Sequence, residues 1–344
     1  MSSQQDSVST QQMESTAGER RIFFPFRRNL SEFALVPAIL LLCVTGAFVN
    51  EAFLTPANIL TILQQSSILA LVVLAESLVL ISGKFDLSLE STVGLAPMVG
   101  AWFLTPASIG GSGLNWSPYV AIAFTLTIGV VIGCLNGFLI VRLKLNAFIV
   151  TLSMLILLRG ITLGFTSGKT LYGLPEPFVY LGSATWIGVP VSIWVSGLLF
   201  LLAELFMRRH RFGRAIYAIG GNPEAARTAG INVERVSWIV FVVASFLAAL
   251  AGLMLSGRLG AVTSQQGSNM IFVTFAAAVI GGISLNGGRG SVIGALTGVL
   301  LLGIVTNLLT LSQIASFWID ATFGGIILVA QAMVKLTSRD KIQD

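Results

Sequence analysis

Residues 58–82, NILTILQQSSILALVVLAESLVLIS, form one long apolar stretch whose single charged side chain is that of Glu76. A helix needs about 20 mostly apolar residues to cross the hydrocarbon core of a bilayer. The stretch meets that requirement over its whole length. It therefore predicts a membrane-spanning helix.

The composition of the whole chain agrees with this prediction. Of the 344 residues, 55% are hydrophobic and only 10% are charged, whereas soluble domains carry about 25% charged residues. The predicted fold class is an all-α membrane protein with about ten transmembrane helices. The ten spans are predicted near 33–50, 58–82, 88–105, 118–141, 146–166, 190–207, 236–256, 270–284, 290–311 and 315–335.

The apolar region forms one predicted transmembrane domain, 33–335, with a polar tail at each end. Residues 1–32 open with a polar, weakly apolar run, so we expect a disordered cytoplasmic tail and no cleavable signal peptide. Residues 336–344 are predicted to be a second cytoplasmic tail.

The basic residues cluster in a few short breaks between the apolar runs. With ten spans, one side of the membrane holds nearly all of them, and the other side holds only Lys169 and Arg258. Cytoplasmic loops carry the excess of Lys and Arg, so both termini are predicted to be cytoplasmic. The net charge of +5 comes with no basic stripe interleaved with aromatic residues, which argues against nucleic-acid binding.

The sequence offers no candidate for catalysis or metal binding. Cys43 and Cys134 lie inside apolar runs and are interpreted as small apolar filler. The SGKT of 167–170 fails as a phosphate-binding loop, because three residues separate Gly164 from Gly168 where the motif needs four. No nucleophile with a base and no His, Cys or carboxylate cluster with metal-ligand spacing is present in the sequence. We therefore expect no enzyme activity, no catalytic residue, no metal and no cofactor in this chain.

The longest predicted cytoplasmic break, 208–235, contains a short predicted helix. Asn222 suits the N-cap, Pro223 the first helical position, and Glu224 the positive end of the helix dipole. Gly230 is placed to end the helix. About two turns are not stable alone in water, so the helix must pack against another protein or against its own chain.

Four stretches resemble the ribose-type sugar permeases of bacterial ABC importers. GGNPEAARTAG at 220–230 is similar to the family's coupling segment, G-G-N-x-x-A-A-x-x-x-G-I, and GKFDLSLES at 83–91 resembles its G-G-x-D-L-S-x-G-S signature. NAFIVTL at 146–152, followed by Arg159-Gly160, and GGISLNGGRGS at 281–291 are similar to two further family stretches. The four occur in the family's order, across 33–335.

The resemblance implies residue roles and partners. The implied ATPase-coupling residues, within the loop 208–235, are Gly221, Asn222, Pro223, Glu224, Ala225, Ala226 and Gly230. The implied signature or gating residues are Gly83, Asp86, Leu87, Ser88, Gly281, Gly282, Gly287 and Gly288. The implied partners are cytoplasmic ATP-binding subunits, which use the ATP, an extracytoplasmic substrate-binding protein, and a second permease copy or a sister permease in the bacterial inner membrane.

Some residues depart from the family pattern or have two interpretations. Lys84 and Glu90 stand where the family usually has glycine, and Glu76 stands where an uncharged residue is common. These changes indicate either an unusual substrate or partner subfamily, or side chains at the headgroup level. Arg159 is interpreted either as a contact with the binding protein or outer gate, or as a snorkelling arginine at a helix end.

The implied solute is a monosaccharide or a related polyol. Such solutes are uncharged, and the candidate hydrogen-bonding residues for their path are Gln64, Gln65, Ser66 and Asn136. Two alternatives stay open: a branched-chain amino acid or urea-type ABC permease, and an ion-coupled secondary transporter. The sequence fixes neither the particular sugar nor whether the permease pairs with itself.

Overall fold

The computed structural model describes residues 35–319, 321–326 and 328 of the chain. The predicted tails 1–32 and 336–344 lie outside these residues, and the predicted tenth span 315–335 is described only in part. Within the described residues the chain is almost entirely helical, apart from one short β-hairpin and an isolated bridge. The predicted all-α class is confirmed.

The helices follow the predicted spans closely. They are α1 (Val36–Val49), α2 (Pro56–Ile81), α3 (Leu89–Leu104), α4 (Pro118–Gly137), α5 (Ala147–Thr166), α6 (Glu176–Ser183), α7 (Val191–Arg209), α8 (Arg211–Gly221), α9 (Pro223–Thr228), α10 (Val233–Leu259), α11 (Met270–Ile280) and α12 (Val292–Leu311). A π-helical turn, Phe138–Arg142, continues α4, and a 3₁₀ turn, Ala107–Ile109, follows α3. The hairpin joins β1 (Thr185–Trp186) to β2 (Val189–Pro190).

Six of these elements are long and apolar enough to cross a membrane: α2, α4 with its π-helical turn, α5, α7, α10 and α12. The apolar helices α1, α3 and α11 are shorter. With eleven residues, α11 is about 16 Å long, roughly half of a hydrocarbon core. The predicted number of ten spans is therefore not confirmed.

Local capping explains where several helices begin. The N–H of Asn58 donates to Thr55 Oγ1 (3.4 Å), directly before Pro56 in the first turn of α2. The N–H of Ile149 donates to Asn146 Oδ1 (3.2 Å) at the start of α5. Such side chains satisfy backbone donors that have no partner inside the helix. The start of the fifth span at 146 could be predicted because Asn146 is a typical capping residue.

Helix α10 lies at the centre of the fold and packs against α2, α3, α4 and α6. Its approach to α4 is close because Gly133 faces the backbone of Phe241 and Val242, where an added methyl group would lie only 2.6 Å away. Small residues at helix contacts of this kind are typical of membrane proteins.

The predicted outer segment 167–189 is a compact structure rather than a linker. It contains α6, whose Phe178 is buried, and β1 of the hairpin. Leu171 forms two backbone hydrogen bonds with Val262, of 2.9 and 3.0 Å. The segment is therefore held against the end of α10.

Candidate functional site

The short predicted helix of the loop 208–235 is present as α9. Asn222 Oδ1 accepts hydrogen bonds from the N–H groups of Glu224 and Ala225, each 3.0 Å long. After the last turn, Gly230 has φ +82°, and the N–H of Ile231 donates to the carbonyl of Ala226 (3.0 Å). The predicted cap and stop are both observed.

Helix α9 touches the rest of the chain along a narrow line. Ala226 is 4% exposed and belongs to the main hydrophobic core, whereas Pro223, Glu224 and Ala225 are exposed. Glu224 and Arg227 form a surface ion pair of 2.9 Å. One face of α9 thus packs on its own chain, and its remaining surface is accessible to another protein.

Three of the quoted motifs meet where α8 leads into α9. A methyl group added to Gly287 would lie 2.7 Å from both Gly83 Cα and the carbonyl oxygen of Gly220. The N–H of Gly288 donates to the carbonyl of Ile81 (2.9 Å) at the end of α2. Sequence reasoning gave a role to Gly221 and overlooked Gly220, although an added Cβ would clash with the backbone at Gly220 and meet nothing at Gly221.

The loop 281–291 is folded tightly against this contact. The N–H of Ser284 donates to the carbonyl of Arg289 (3.1 Å), and Gly287 and Gly288 have φ of +81° and +69°. This conformation is strained for residues with a side chain. At the start of the loop, Gly281 packs against the backbone of Gly294 in α12, and Gly282 has φ +85°.

The signature segment between α2 and α3 contains a buried polar network. Asp86 Oδ1 accepts hydrogen bonds from the N–H (3.0 Å) and the hydroxyl (2.6 Å) of Ser88. Asn136 Nδ2 donates to Ser88 Oγ (2.8 Å) and reaches Asp86 Oδ2 at 3.5 Å. Burial raises the pKa of Asp86 to about 6, although these hydrogen bonds oppose the shift. Leu87, between them, is half-buried.

The charged residues around this segment do not pair with each other. Glu76 is fully buried, and its Oε1 accepts a 3.5 Å hydrogen bond from the N–H of Asp86. Lys84 is half-buried, which lowers the pKa of its ammonium group. Among the described residues, Glu76 and Lys84 form no ion pair with each other, and Glu90 is buried.

The four predicted path residues do not share one site. Gln64 Nε2 donates to the carbonyl of Gly182 (2.9 Å), and Gln65 Oε1 accepts from Arg258 Nη2 (3.4 Å). Ser66 is buried and lies against Gly303 of α12. These three lie about 24–27 Å along α2 from its end at Ser82, whereas Asn136 lies in the network beside that end.

A second buried network links α3, α5 and α11. Arg159 Nη2 and Glu90 Oε1 form an ion pair of 3.2 Å, with side chains 15% and 9% exposed. Arg159 also donates to the carbonyl of Gln266 (3.0 Å), and Glu90 Oε2 accepts from the N–H of Ile271 (3.2 Å) in the first turn of α11. Arg159 is therefore bound within the chain, seven residues before the end of α5.

Gln266 was not identified from the sequence, which placed 257–269 outside the membrane. Its side chain is 3% exposed and donates to the carbonyls of Val93 (3.1 Å) and Gly252 (3.0 Å). Gly252 lies seven residues before the end of α10, which is about 10 Å along the axis. The segment 260–269 therefore folds back along α10 before α11 begins.

The described geometry contains a multi-helix apolar body, a capped exposed helix and glycine contacts that join three loops. The six described helices that are long and apolar enough to cross a membrane indicate a multi-pass membrane protein. A family model described as "Branched-chain amino acid transport system / permease component" matches residues 58–331. The chain belongs to this family.

Three relatives indicate which kind of permease the chain is similar to. The ribose import permease protein RbsC of Escherichia coli strain K12 is 35% identical over 319 residues, covering 92% of this chain and 96% of the relative. RbsC of Bacillus subtilis strain 168 is 34% identical, covering 85% and 89%. The xylose transport system permease protein XylH of E. coli K12 is 32% identical, covering 90% and 93%. No solved structure matches the chain. The chain is a transport-system permease, and these relatives favour the sugar-permease interpretation over its alternatives.

Proposed function

We propose that this chain is the permease subunit of an ATP-driven importer that moves a monosaccharide or related polyol across the bacterial inner membrane. A separate ATPase supplies the energy, so the chain itself binds no nucleotide cofactor. A binding protein delivers the solute from outside, and a second permease, identical or a sister chain, completes the pathway. The apolar helices shorter than a full span and 315–335 complete ten crossings, with both termini in the cytoplasm.

The observation that carries this proposal is the exposed helix α9. It is capped at both ends, and Ala226 anchors it to the core. Gly220, directly before it, touches the end of α2 and the loop 281–291 through backbone atoms. A displacement of α9 would reach the end of α2 and the loop 281–291 through backbone contacts, with no flexible side chain between them. The segment 221–230 is therefore the proposed docking site of the ATPase.

Co-purification with the ATPase encoded beside this chain tests the docking site. Tagged wild type should retain the ATPase in detergent or nanodiscs. The double variant Glu224→Arg plus Ala225→Asp should lose it, because both side chains are exposed on α9. Glu176→Arg, an equally exposed charge reversal on α6, is the matched control and should retain the ATPase.

Two results would contradict the docking proposal. One is a folded double variant that retains the ATPase as fully as wild type. The other is a wild-type chain that binds no ATPase and takes up solute alone, which would instead indicate an ion-coupled transporter.

The proposed solute class is tested in proteoliposomes that contain the complex. Uptake of labelled pentoses, hexoses and polyols is measured with the binding protein and ATP, with branched-chain amino acids as competitors. We expect ATP-dependent uptake of one of the sugars or polyols. Inhibition and uptake by branched-chain amino acids, with no sugar transported, would refute the proposed class. Uptake lost in Gln64→Ala or Asn136→Ala, with ATPase binding intact, would assign that side chain to the solute path.

A further inference from the structure

The break between α2 and α3 brings two acidic side chains together away from water. Glu76 and Asp86 are both 0% exposed, and the N–H of Asp86 reaches Glu76 Oε1 at 3.5 Å. Neither carboxylate forms an ion pair with a described residue. Lys84 makes no ion pair there, and Arg159 is bound to Glu90. Two adjacent buried negative charges without a counter-charge are strongly unfavourable.

The same place contains two acceptor atoms without a donor. Glu76 Oε2 and Asn136 Oδ1 have no hydrogen-bond partner in the described part of the chain. The amide of Asn136 is nonetheless aimed into the cluster, since its Nδ2 donates to Ser88 Oγ and reaches Asp86 Oδ2. Buried polar atoms are almost always satisfied. A carboxylic acid O–H would supply a donor that the ionised pair lacks.

The hydrogen bonds indicate which carboxyl group keeps its charge. Asp86 accepts two bonds from Ser88, of 3.0 and 2.6 Å, and is within reach of Asn136. Glu76 accepts a single long one. Donors stabilise the ionised form of the group that they contact, so Asp86 is the better anion and Glu76 the better acid.

We propose that Glu76 and Asp86 together bind one proton at neutral pH, so that Glu76 is a neutral carboxylic acid and Asp86 an anion. Glu76 lies in α2 and Asp86 in the following segment 83–88, whose Gly83 touches Gly220 beside the proposed docking helix. If this segment moves and admits water, the pair releases its proton. The conformational equilibrium of the permease then depends on pH.

Other titratable groups on the neighbouring segments are engaged elsewhere or lie at helix ends. Asp86 contacts Glu76 directly through its backbone N–H. Helices α11 and α12 carry no titratable side chain. The remaining groups are Lys84 and Arg289 in the loops, Glu90 with Arg159, Glu204 with Arg208, Arg209, His210, Arg211 and Arg214 where α7 leads into α8, Tyr217 donating to the carbonyl of Gly290, Arg258 donating to Gln65, and Glu234 and Arg235 in the first turn of α10.

Infrared difference spectroscopy on the purified chain in nanodiscs tests the proposal directly. At pH 7 the wild type should show the C=O stretch of a protonated carboxyl group, corresponding to one group per chain. Glu76→Gln should remove the band, because the neutral amide replaces the acid with nearly the same shape. Glu176→Gln, at an exposed position, is the matched control and should leave the band unchanged.

The neighbouring acid provides a second, independent variant. In Asp86→Asn the repelling charge is gone, so Glu76 should bind its proton about tenfold or more weakly, and the band should titrate at lower pH. If Glu76→Gln is not recovered in folded form, the shift of the band's titration in Asp86→Asn decides alone whether Glu76 holds the proton. A wild type without the band at pH 7, a band that survives both variants, or an unshifted titration would each overturn the proposal.

A bound metal cation could supply the same positive charge as the proton. Changing the salt of the buffer distinguishes the proton from a metal cation. The band should be equally strong in sodium, potassium and choline chloride. A band that appears in choline and disappears in sodium or potassium would show that a metal cation displaces the proton, and would overturn it. The measurement requires no transport, so its result is independent of which solute the permease carries.

Discussion

The replacement Arg159→Met tests whether the buried Glu90–Arg159 pair holds three helices together. The change leaves the Glu90 carboxylate with the N–H of Ile271 (3.2 Å) as its donor and removes the hydrogen bond to the carbonyl of Gln266. Breaking a buried pair by removing one partner costs about 3–5 kcal/mol, because an uncompensated charge stays buried. We expect the free energy of unfolding to fall by that amount.

The chain contains a matched control for this prediction. Glu224 and Arg227 also form an ion pair, of 2.9 Å, but their side chains are 80% and 53% exposed, against 9% and 15% for the buried pair. Exposed pairs contribute about 0.2–1 kcal/mol. Arg227→Met should therefore change the free energy of unfolding by less than about 1 kcal/mol.

Reversible unfolding in mixed micelles, titrated with a denaturing detergent, measures both variants on one scale. The double variant Glu90→Gln plus Arg159→Met should be more stable than Arg159→Met alone, because no buried charge remains. The reasoning is refuted if Arg159→Met destabilises the protein no more than Arg227→Met does. It is also refuted if adding Glu90→Gln to Arg159→Met destabilises the protein further.

Three smaller changes test the other contacts, through the yield of folded protein, amide exchange and the unfolding curve. Gly220→Ala should lower the yield of folded protein, because its methyl group would clash with the carbonyl of Ile81, whereas Gly221→Ala, which meets nothing, should behave as wild type. Asn222→Ala should lower the stability of α9 by about 1 kcal/mol through loss of its cap, seen as faster amide exchange at 223–228. Gln266→Leu should cost about 1–3 kcal/mol, because the buried carbonyl of Val93 loses the donor that Gln266 supplies, and an unchanged unfolding curve would contradict the observed bonds.

Local signals in the sequence predicted most of the helices and one candidate site. The apolar runs predicted the bounds of most described helices to within a few residues, since a helix needs a set length to cross the bilayer. The Asn222 cap and the Gly230 stop are contacts between residues close in sequence, so α9 was predictable at residue level. The tails 1–32 and 336–344 and the roles assigned to the coupling residues stay predictions.

Contacts between distant residues were not predictable in this way. Glu90 and Arg159 are 69 residues apart, and Ser88 and Asn136 are 48 apart. Packing around α10 determines which helices contact each other. The periodicity of a single sequence carries no signal for these contacts. Arg159 was therefore interpreted either as a contact with the binding protein or outer gate or as a snorkelling arginine, and Asn136 was grouped with Gln64. The fold of 260–269 back along α10 was not predicted, because its polar residues resemble an ordinary loop and the carbonyls that accept from Gln266 lie 14 and 173 residues away in the sequence.

The glycine motifs show why part of the functional site of a membrane protein can be predicted from its sequence. Lipid tails are as apolar as leucine, so burial between helices gives little driving force there, and close backbone packing takes its place. The contacts of Gly287 with Gly83 and of Gly220 with Ile81 require the absence of a side chain on Gly287 and on Gly220. Runs of glycine in loops therefore mark surfaces that meet, although they do not say which. These surfaces meet beside α9, where the backbone of Gly220 near the end of α8 lies against the carbonyl of Ile81 at the end of α2, and this direct contact supports the proposed transmission of displacement from α9.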